Sequence, residues 1–160
     1  MLPESRKIAF YPCCAHDIRE PHQMLTGIVD EIIYCDIYPN LRDDQTLSVS
    51  PPTRQFWRED ALQAIARISH IDVLFYRRDG TSEGGSGLFI LGERIFPLIL
   101  AKMRRDECRI ITDGSNSRGG RFRKMNRASG LSECGKIIKR AEVQRFESFE
   151  LTEFIVRAAS

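Results

Sequence analysis

Residues Lys7–Asp17 read KIAFYPCCAHD. The run Ile8–Tyr11 is short and apolar on both faces, as a central strand of a parallel sheet must be. Pro12 ends it, because its ring removes a backbone donor. Cys13, Cys14, His16 and Asp17 follow before Ile18 opens a helical pattern. A strand that stops abruptly and passes through reactive side chains into a helix marks the carboxyl edge of a sheet, where α/β proteins hold their ligands.

Working outward, Ile18–Val29 is expected to be a helix, with Asp17 as N-cap, Glu20 and Pro21 in its first turn and Gly27 near its end. Glu31–Asp36, EIIYCD, reads as a second buried strand ending in a carboxylate. Residues 39–53 are proline-rich and polar, hence a loop, with a short strand around Leu47–Val49 as an option. Arg58–Ser69 carries Leu62, Ile65 and Ala66 at helical spacing, and Ile71–Tyr76 is a third buried strand. Leu88–Met103 is the longest apolar helix, with Pro97 kinking it or starting a second one. Glu107–Asp113 is the fourth strand, Gly114–Gly120 a glycine-rich loop, and Arg121–Ser129 a basic helix stopped by Gly130. Ala141–Arg157 has β-rich character and is expected to form two strands paired as a hairpin. Strands and helices alternating in this way demand a parallel sheet with helices on both faces. The expected architecture is a three-layer, Rossmann-like α/β sandwich. Its sheet is mostly parallel with an antiparallel C-terminal hairpin, in a single domain over residues 1–160.

A chain of 160 residues can bury a core without staples. Its formal net charge is only +2, but the distribution is uneven: between Gly114 and Arg145 nine basic residues face two acidic ones, leaving −5 for the rest. That polarity can steer an anionic partner to one face, and a nucleic-acid contact through residues 118–145 is one reading of it. A solvated helix face is the other. Five cysteines without a framework spacing, no signal-peptide pattern in MLPESRKIAF and no membrane-length apolar run point to a reduced cytoplasmic protein without a membrane segment.

A parallel sheet brings the carboxyl ends of its strands to one rim, so Cys13–Asp17, Asp36, the loop after Tyr76 and Asp113 should converge. Asp36 follows Asp17 by 19 residues, the placement of a carboxylate that accepts both ribose hydroxyls in nucleotide-binding sheets. The loop Arg77–Gly87, RRDGTSEGGSG, has four glycines, two acids and no apolar residue. Arg77 and Arg78 could clamp a phosphate or carboxylate, and Asp79 and Glu83 could act as acid, base or orienting groups. Asn116 and Arg118, in DGSNSRGG, suit an anion, although the loop lacks the form of a P-loop. Cys13 or Cys14 with His16 as base has the residue types of a thiol nucleophile at a helix start. Vicinal cysteines with His16 and His22 lack the spacing of a zinc site, and no metal is expected.

This order of elements and acids resembles the class I S-adenosylmethionine-dependent methyltransferase superfamily. The resemblance implies a cofactor loop at Pro12, Cys13, Cys14, His16 and Asp17, a ribose-binding acid at Asp36, and a catalytic loop around Arg77–Asp79. The family's cofactor loop is glycine-rich, whereas PCCAHD contains no glycine. YPCC, RRDGTSEGGSG and ITDGSN together also resemble a group of uncharacterised bacterial proteins, which brings no function with it.

Two functions fit these features. One is a small methyltransferase-like protein binding a nucleotide-containing ligand of the S-adenosylmethionine type, with Asp79 and Glu83 in acid–base roles. The other is a non-catalytic binding protein on the same scaffold, an immunity-type toxin inhibitor or a regulatory subunit with a protein partner. The rim carboxylates favour the first and the glycine-free loop the second.

Overall fold

The computed structural model describes residues 5–78, 88–142 and 151–159. The expected apolar runs become strands β1 (Ile8–Pro12), β2 (Glu31–Cys35), β4 (Val73–Tyr76) and β5 (Glu107–Thr112). Between them, β3 (Thr53–Trp57) precedes helix α2 (Ala61–Arg67), and α1 (Arg19–Leu25) and α3 (Phe96–Lys102) complete the alternation. A short helix α4 (Arg121–Met125) leads to β6 (Leu131–Glu133), β7 (Lys136–Arg140) and β8 (Thr152–Ala158).

The eight strands of the described residues share one sheet in the order β3-β2-β1-β4-β5-β8-β7-β6. β1 to β5 pair in parallel, whereas β8 lies antiparallel between β5 and β7, and β6 antiparallel to β7. β7 therefore points the same way as β5, and the sheet is mostly parallel with antiparallel strands at its C-terminal side.

Alternate residues of each strand feed opposite cores, as the two-residue pleat requires. Phe10, Leu74 and Ile110 pack with Ala64 and Ile65 of α2 and Phe96, Ile99 and Leu100 of α3. Tyr11, Tyr34 and Phe75 pack on the other side with Leu25 of α1 and with Leu41. β1 and β4 are buried along their whole length, which is why their sequences do not alternate.

Several boundaries differ from expectation. The strand sought at Leu47–Val49 is absent there, and Val49 is 95% exposed. It forms instead at Thr53–Trp57, an edge strand whose Thr53 and Gln55 are exposed while the Arg54 side chain is covered against Asp43 and His22. The helix expected over Leu88–Met103 contracts to α3. Gly92 closes a turn onto the Phe89 carbonyl at 2.8 Å, and Pro97 sits in the first turn of the helix proper. Asp17 does not cap α1, whose N-cap is Ile18 without a side-chain bond; its carboxylate is used elsewhere. α2 by contrast has a working cap, Asp60 accepting from Leu62 N–H at 2.8 Å. The basic helix shortens to α4, and the segment after it supplies two strands that the sequence reading did not separate. Cys134 (φ 51°) and Gly135 (φ 72°) turn β6 into β7 with the paired positive φ angles of a two-residue hairpin. β8 is the second strand expected within 141–157; its partners are β5 and β7, and residues 143–150 lie outside the described ones.

Acidic side chains tie neighbouring strands at both rims. At the amino rim Asp30 accepts from Lys7 N–H and Asp72 from Ile8 N–H, at 2.8 and 2.7 Å. No helix among the described residues is long and apolar enough to cross a membrane.

Candidate functional site

Because β1, β2, β4 and β5 are parallel, Cys13, Asp36, Arg77 and Asp113 all follow strand ends on one rim. The order of connections reverses between β1 and β4, the position at which open α/β sheets leave a crevice.

The loop from Cys13 to Asp17 contains no glycine, yet its backbone is left-handed at Cys13 (φ 58°) and Ala15 (φ 50°). These are conformations that glycine adopts without cost and other residues adopt at about 1–2 kcal/mol each. Two features hold the loop there. Cys14 N–H donates to the Cys35 carbonyl at 3.2 Å, and Ala15 N–H to Asp36 Oδ2 at 2.8 Å. The other Asp36 oxygen accepts from Tyr38 N–H at 2.9 Å. An ionised carboxylate can accept about four hydrogen bonds, so this one is oriented and still has capacity. Beside it Ile37 is 70% exposed, and the His16 ring meets Tyr38 edge-on at 4.8 Å.

Arg77 turns inward rather than toward a ligand. It is 2% exposed and forks onto Asp17 with Nε and Nη2 at 2.7 and 2.8 Å, while Nη2 also reaches Glu20 at 3.0 Å. Tyr11 donates its hydroxyl to the same Asp17 carboxylate at 2.6 Å. Burial opposes the guanidinium charge, but the hydrogen bonds and charge of Asp17 outweigh it and keep Arg77 firmly protonated. Among the described residues the buried Arg77 Nη1 atom has no hydrogen-bond partner, and the guanidinium carbon lies 5.5 Å from the centre of the Phe75 ring. Arg78 is the exposed member of the pair, left-handed at φ 60°, with its N–H on Asp113 Oδ2 at 2.8 Å and its guanidinium 4.0 Å from Glu20.

The second loop is similarly self-contained. Asp113 also receives Ser115 N–H at 2.9 Å. Asn116, left-handed at φ 50°, spends its amide nitrogen on the Tyr76 hydroxyl at 3.2 Å and the Leu88 carbonyl at 3.1 Å. Gly114 must be glycine: its φ is +81°, and a Cβ there would strike the Phe122 ring at 2.8 Å. Asp79 and Glu83, the expected acid–base pair, lie outside the described residues, as does the side chain of Arg118 in its 3₁₀ turn, Arg118–Gly120.

The cysteines do not behave as expected for an activated thiol. Cys14 is buried, and burial, reinforced by the Asp36 charge and by Cys35, pushes its thiol far up instead of down. Cys35 is pushed up to about 12, again first by burial. Cys13 is half-buried against the α2–α3 core, and His16 is exposed against Tyr38. Among the described residues no group of three or more His, Cys, Asp or Glu side chains is placed to hold a metal ion.

The rim thus brings together Pro12, Cys13, Cys14, His16, Asp17, Asp36 and Arg78, but it sets Asp17 and Arg77 to bind each other. Sequence reasoning missed Tyr11 and Glu20 as partners of that pair, and the exposed Ile37 and Tyr38 beside Asp36. An apolar residue directly after a strand-end acid was the available clue to the latter. Comparison with known proteins finds no matching family model and no matching curated sequence.

Proposed function

We propose that this chain is a Rossmann-like, three-layer α/β domain of the methyltransferase type, acting in the cytoplasm. It binds a nucleotide-containing ligand, S-adenosylmethionine or a close relative, at the carboxyl rim beside Asp36. The strand order β3-β2-β1-β4-β5 supports the architecture, since it is the order of a doubly wound sheet. The observation that carries the ligand is the Asp36 carboxylate, held by Ala15 and Tyr38 N–H groups and flanked by the exposed side chain of Ile37. Ribose hydroxyls would donate to the remaining lone pairs, and a flat base would lie on Ile37 and Tyr38. The left-handed backbone at Cys13 and Ala15 supports the same reading, because it supplies the loop conformation that glycines provide elsewhere. Arg78 is the exposed cation available to the anionic end of the ligand, and Asp79 and Glu83 remain the acid–base candidates.

Calorimetric titration with S-adenosylmethionine and S-adenosylhomocysteine tests this. Ligand at one hundred times Kd stabilises the fold by about 2.7 kcal/mol, a rise of roughly 5–11 °C in Tm for a domain this size. Ile37→Glu, on an exposed side chain, should leave the apo melting point alone and remove the ligand shift, and Asp36→Ala should remove the heat. Absence of both heat and shift in the wild type sinks the proposal.

One observation favours a second reading. The rim carboxylates Asp17, Asp36 and Asp113 are all bonded by the protein itself, as befits a binding scaffold that performs no chemistry. An immunity-type inhibitor or regulatory subunit would co-purify with a stoichiometric protein partner and release no small molecule on denaturation.

A further inference from the structure

A guanidinium has two edges on which it can fork an oxyanion, one made by Nε and Nη2 and the other by Nη1 and Nη2. In Arg77 the first edge is taken by both oxygens of Asp17. The second Nη2 hydrogen lies on the other edge, and Glu20 Oε2 accepts it at 3.0 Å. Only half of that edge is used. Among the described residues Nη1 has no hydrogen-bond partner, although its side chain is buried. The Phe75 ring, 5.5 Å from the guanidinium carbon, supplies no lone pair to it. A buried donor on a charged group is costly to leave unmade, so this one points to a partner that the protein itself does not provide.

Glu20 is a replaceable occupant of this edge. Its side chain is 47% exposed and meets the guanidinium with one oxygen only. Arg78 brings its own Nη2 to 4.0 Å from that same oxygen and otherwise faces solvent. The backbone of Arg78 is pinned to Asp113 at 2.8 Å, which keeps its stem at this edge. Two arginines therefore converge on one carboxylate oxygen. When Glu20 swings into solvent, the half-used edge opens, and the charges left nearby are those of Asp17 and Asp113. Both are already bonded, Asp17 by Arg77 and the Tyr11 hydroxyl, Asp113 by the Arg78 and Ser115 N–H groups.

We propose that the Nη1–Nη2 edge of Arg77 and the side chain of Arg78 bind a phosphate dianion, free or as an ester, whose place Glu20 holds. A carboxylate from solution has no advantage over Glu20, a tethered competitor acting at an effective concentration of the order of mM. A phosphate brings more charge and a third oxygen, enough to satisfy Nη1, Nη2 and Arg78 together. Glu20 thus sets the affinity from within. The site makes no use of Asp36, and inorganic phosphate needs no nucleotide, so this proposal and the ligand at Asp36 succeed or fail separately.

The experiment is calorimetric titration of the full chain with inorganic phosphate, glycerol 3-phosphate and acetate, at constant ionic strength and above pH 7, where the dianion prevails. Glu20→Ala should bind phosphate about tenfold more tightly than the wild type, the factor that one lost bond to a charged group is worth. Glu20→Gln, which keeps the size of the side chain and removes its charge, should lie between the two. Arg78→Ala, on an exposed side chain, should weaken phosphate about fivefold in the Glu20→Ala background, while Arg123→Ala, an exposed cation on α4, should change nothing. Tighter binding of inorganic phosphate or of glycerol 3-phosphate tells a free ion from an ester. No heat with Glu20→Ala, equal affinity in Glu20→Ala and the wild type, acetate binding as tightly as phosphate, or a loss on Arg123→Ala in place of Arg78→Ala would each overturn the proposal.

Discussion

Replacing Ala15 by glycine should stabilise this protein, against the usual effect of that substitution. Ala15 is exposed and left-handed at φ 50°, so the change removes no packed surface. Its N–H, which Asp36 holds at 2.8 Å, is retained by glycine. A side chain in this conformation costs about 1–2 kcal/mol, which glycine relieves. Against that, the unfolded chain gains freedom worth about 0.4–1 kcal/mol. The balance is a gain of about 0.5–1 kcal/mol, or roughly 1–4 °C in Tm at the scale of a domain this size. Ala66→Gly is the control, on an exposed position inside α2, where the helical backbone gives glycine no advantage. It should lose about 1 kcal/mol. Differential scanning calorimetry of the two variants beside the wild type reads both effects. If Ala15→Gly melts lower by as much as Ala66→Gly, the loop is not left-handed at that position and the account of the glycine-free site fails.

Asp17→Ala should cost about 3 kcal/mol in urea unfolding, because it strands the buried Arg77 charge with only Glu20 as partner, and adding Arg77→Met should recover part of the loss. A cost below 1 kcal/mol would mean that the pair is not closed. His22 is held below its ordinary 6.5, first by burial and then by the Arg54 guanidinium 3.1 Å away, so the unfolded chain takes up the proton more readily. Its contribution is complete above about pH 6.5 and is lost as pH falls toward the folded value. His22→Gln should therefore flatten the decline in urea midpoint between pH 7.5 and 5, and an identical decline in both proteins would refute the assignment. Alkylation with iodoacetamide at pH 8, read by peptide mass spectrometry, should label exposed Cys134 first and reach Cys14, Cys35 and Cys108 only on unfolding, since burial shields all three and pushes their thiols up. Early labelling of Cys14 would contradict its position in the core.

The parallel strands were legible because burial on both faces leaves an unmistakable apolar run, as in Ile8–Tyr11 and Ile71–Tyr76. β3 was not, because an edge strand such as TRQFW need bury little and carries no such run. β7 hid in a basic segment for a related reason: Ile138 is fully buried while Lys139 and Arg140 are exposed, so charge masked the pattern. The start of α3 follows the second of the two readings of Pro97, a helix begun at the proline, and what periodicity did not show was the turn that Gly92 closes before it. At the rim, Asp36 was legible from its place after a strand. The direction in which Arg77 points was not, since an arginine beside a polar loop reads as exposed until Asp17 and Tyr11 are known to lie under it.

The place of β8 in the sheet has a consequence for how the protein is made. Among the described residues β6 and β7 reach the rest of the sheet through β8, which fills the gap between β5 and β7. On the ribosome the edge of β5 stays open until Thr152–Ala158 has emerged, a delay of roughly 2–9 s at about 5–20 residues per second. Through that interval the nascent chain presents Cys108, Ile110 and Ile111 along an unpaired edge, a template for pairing with a neighbouring chain.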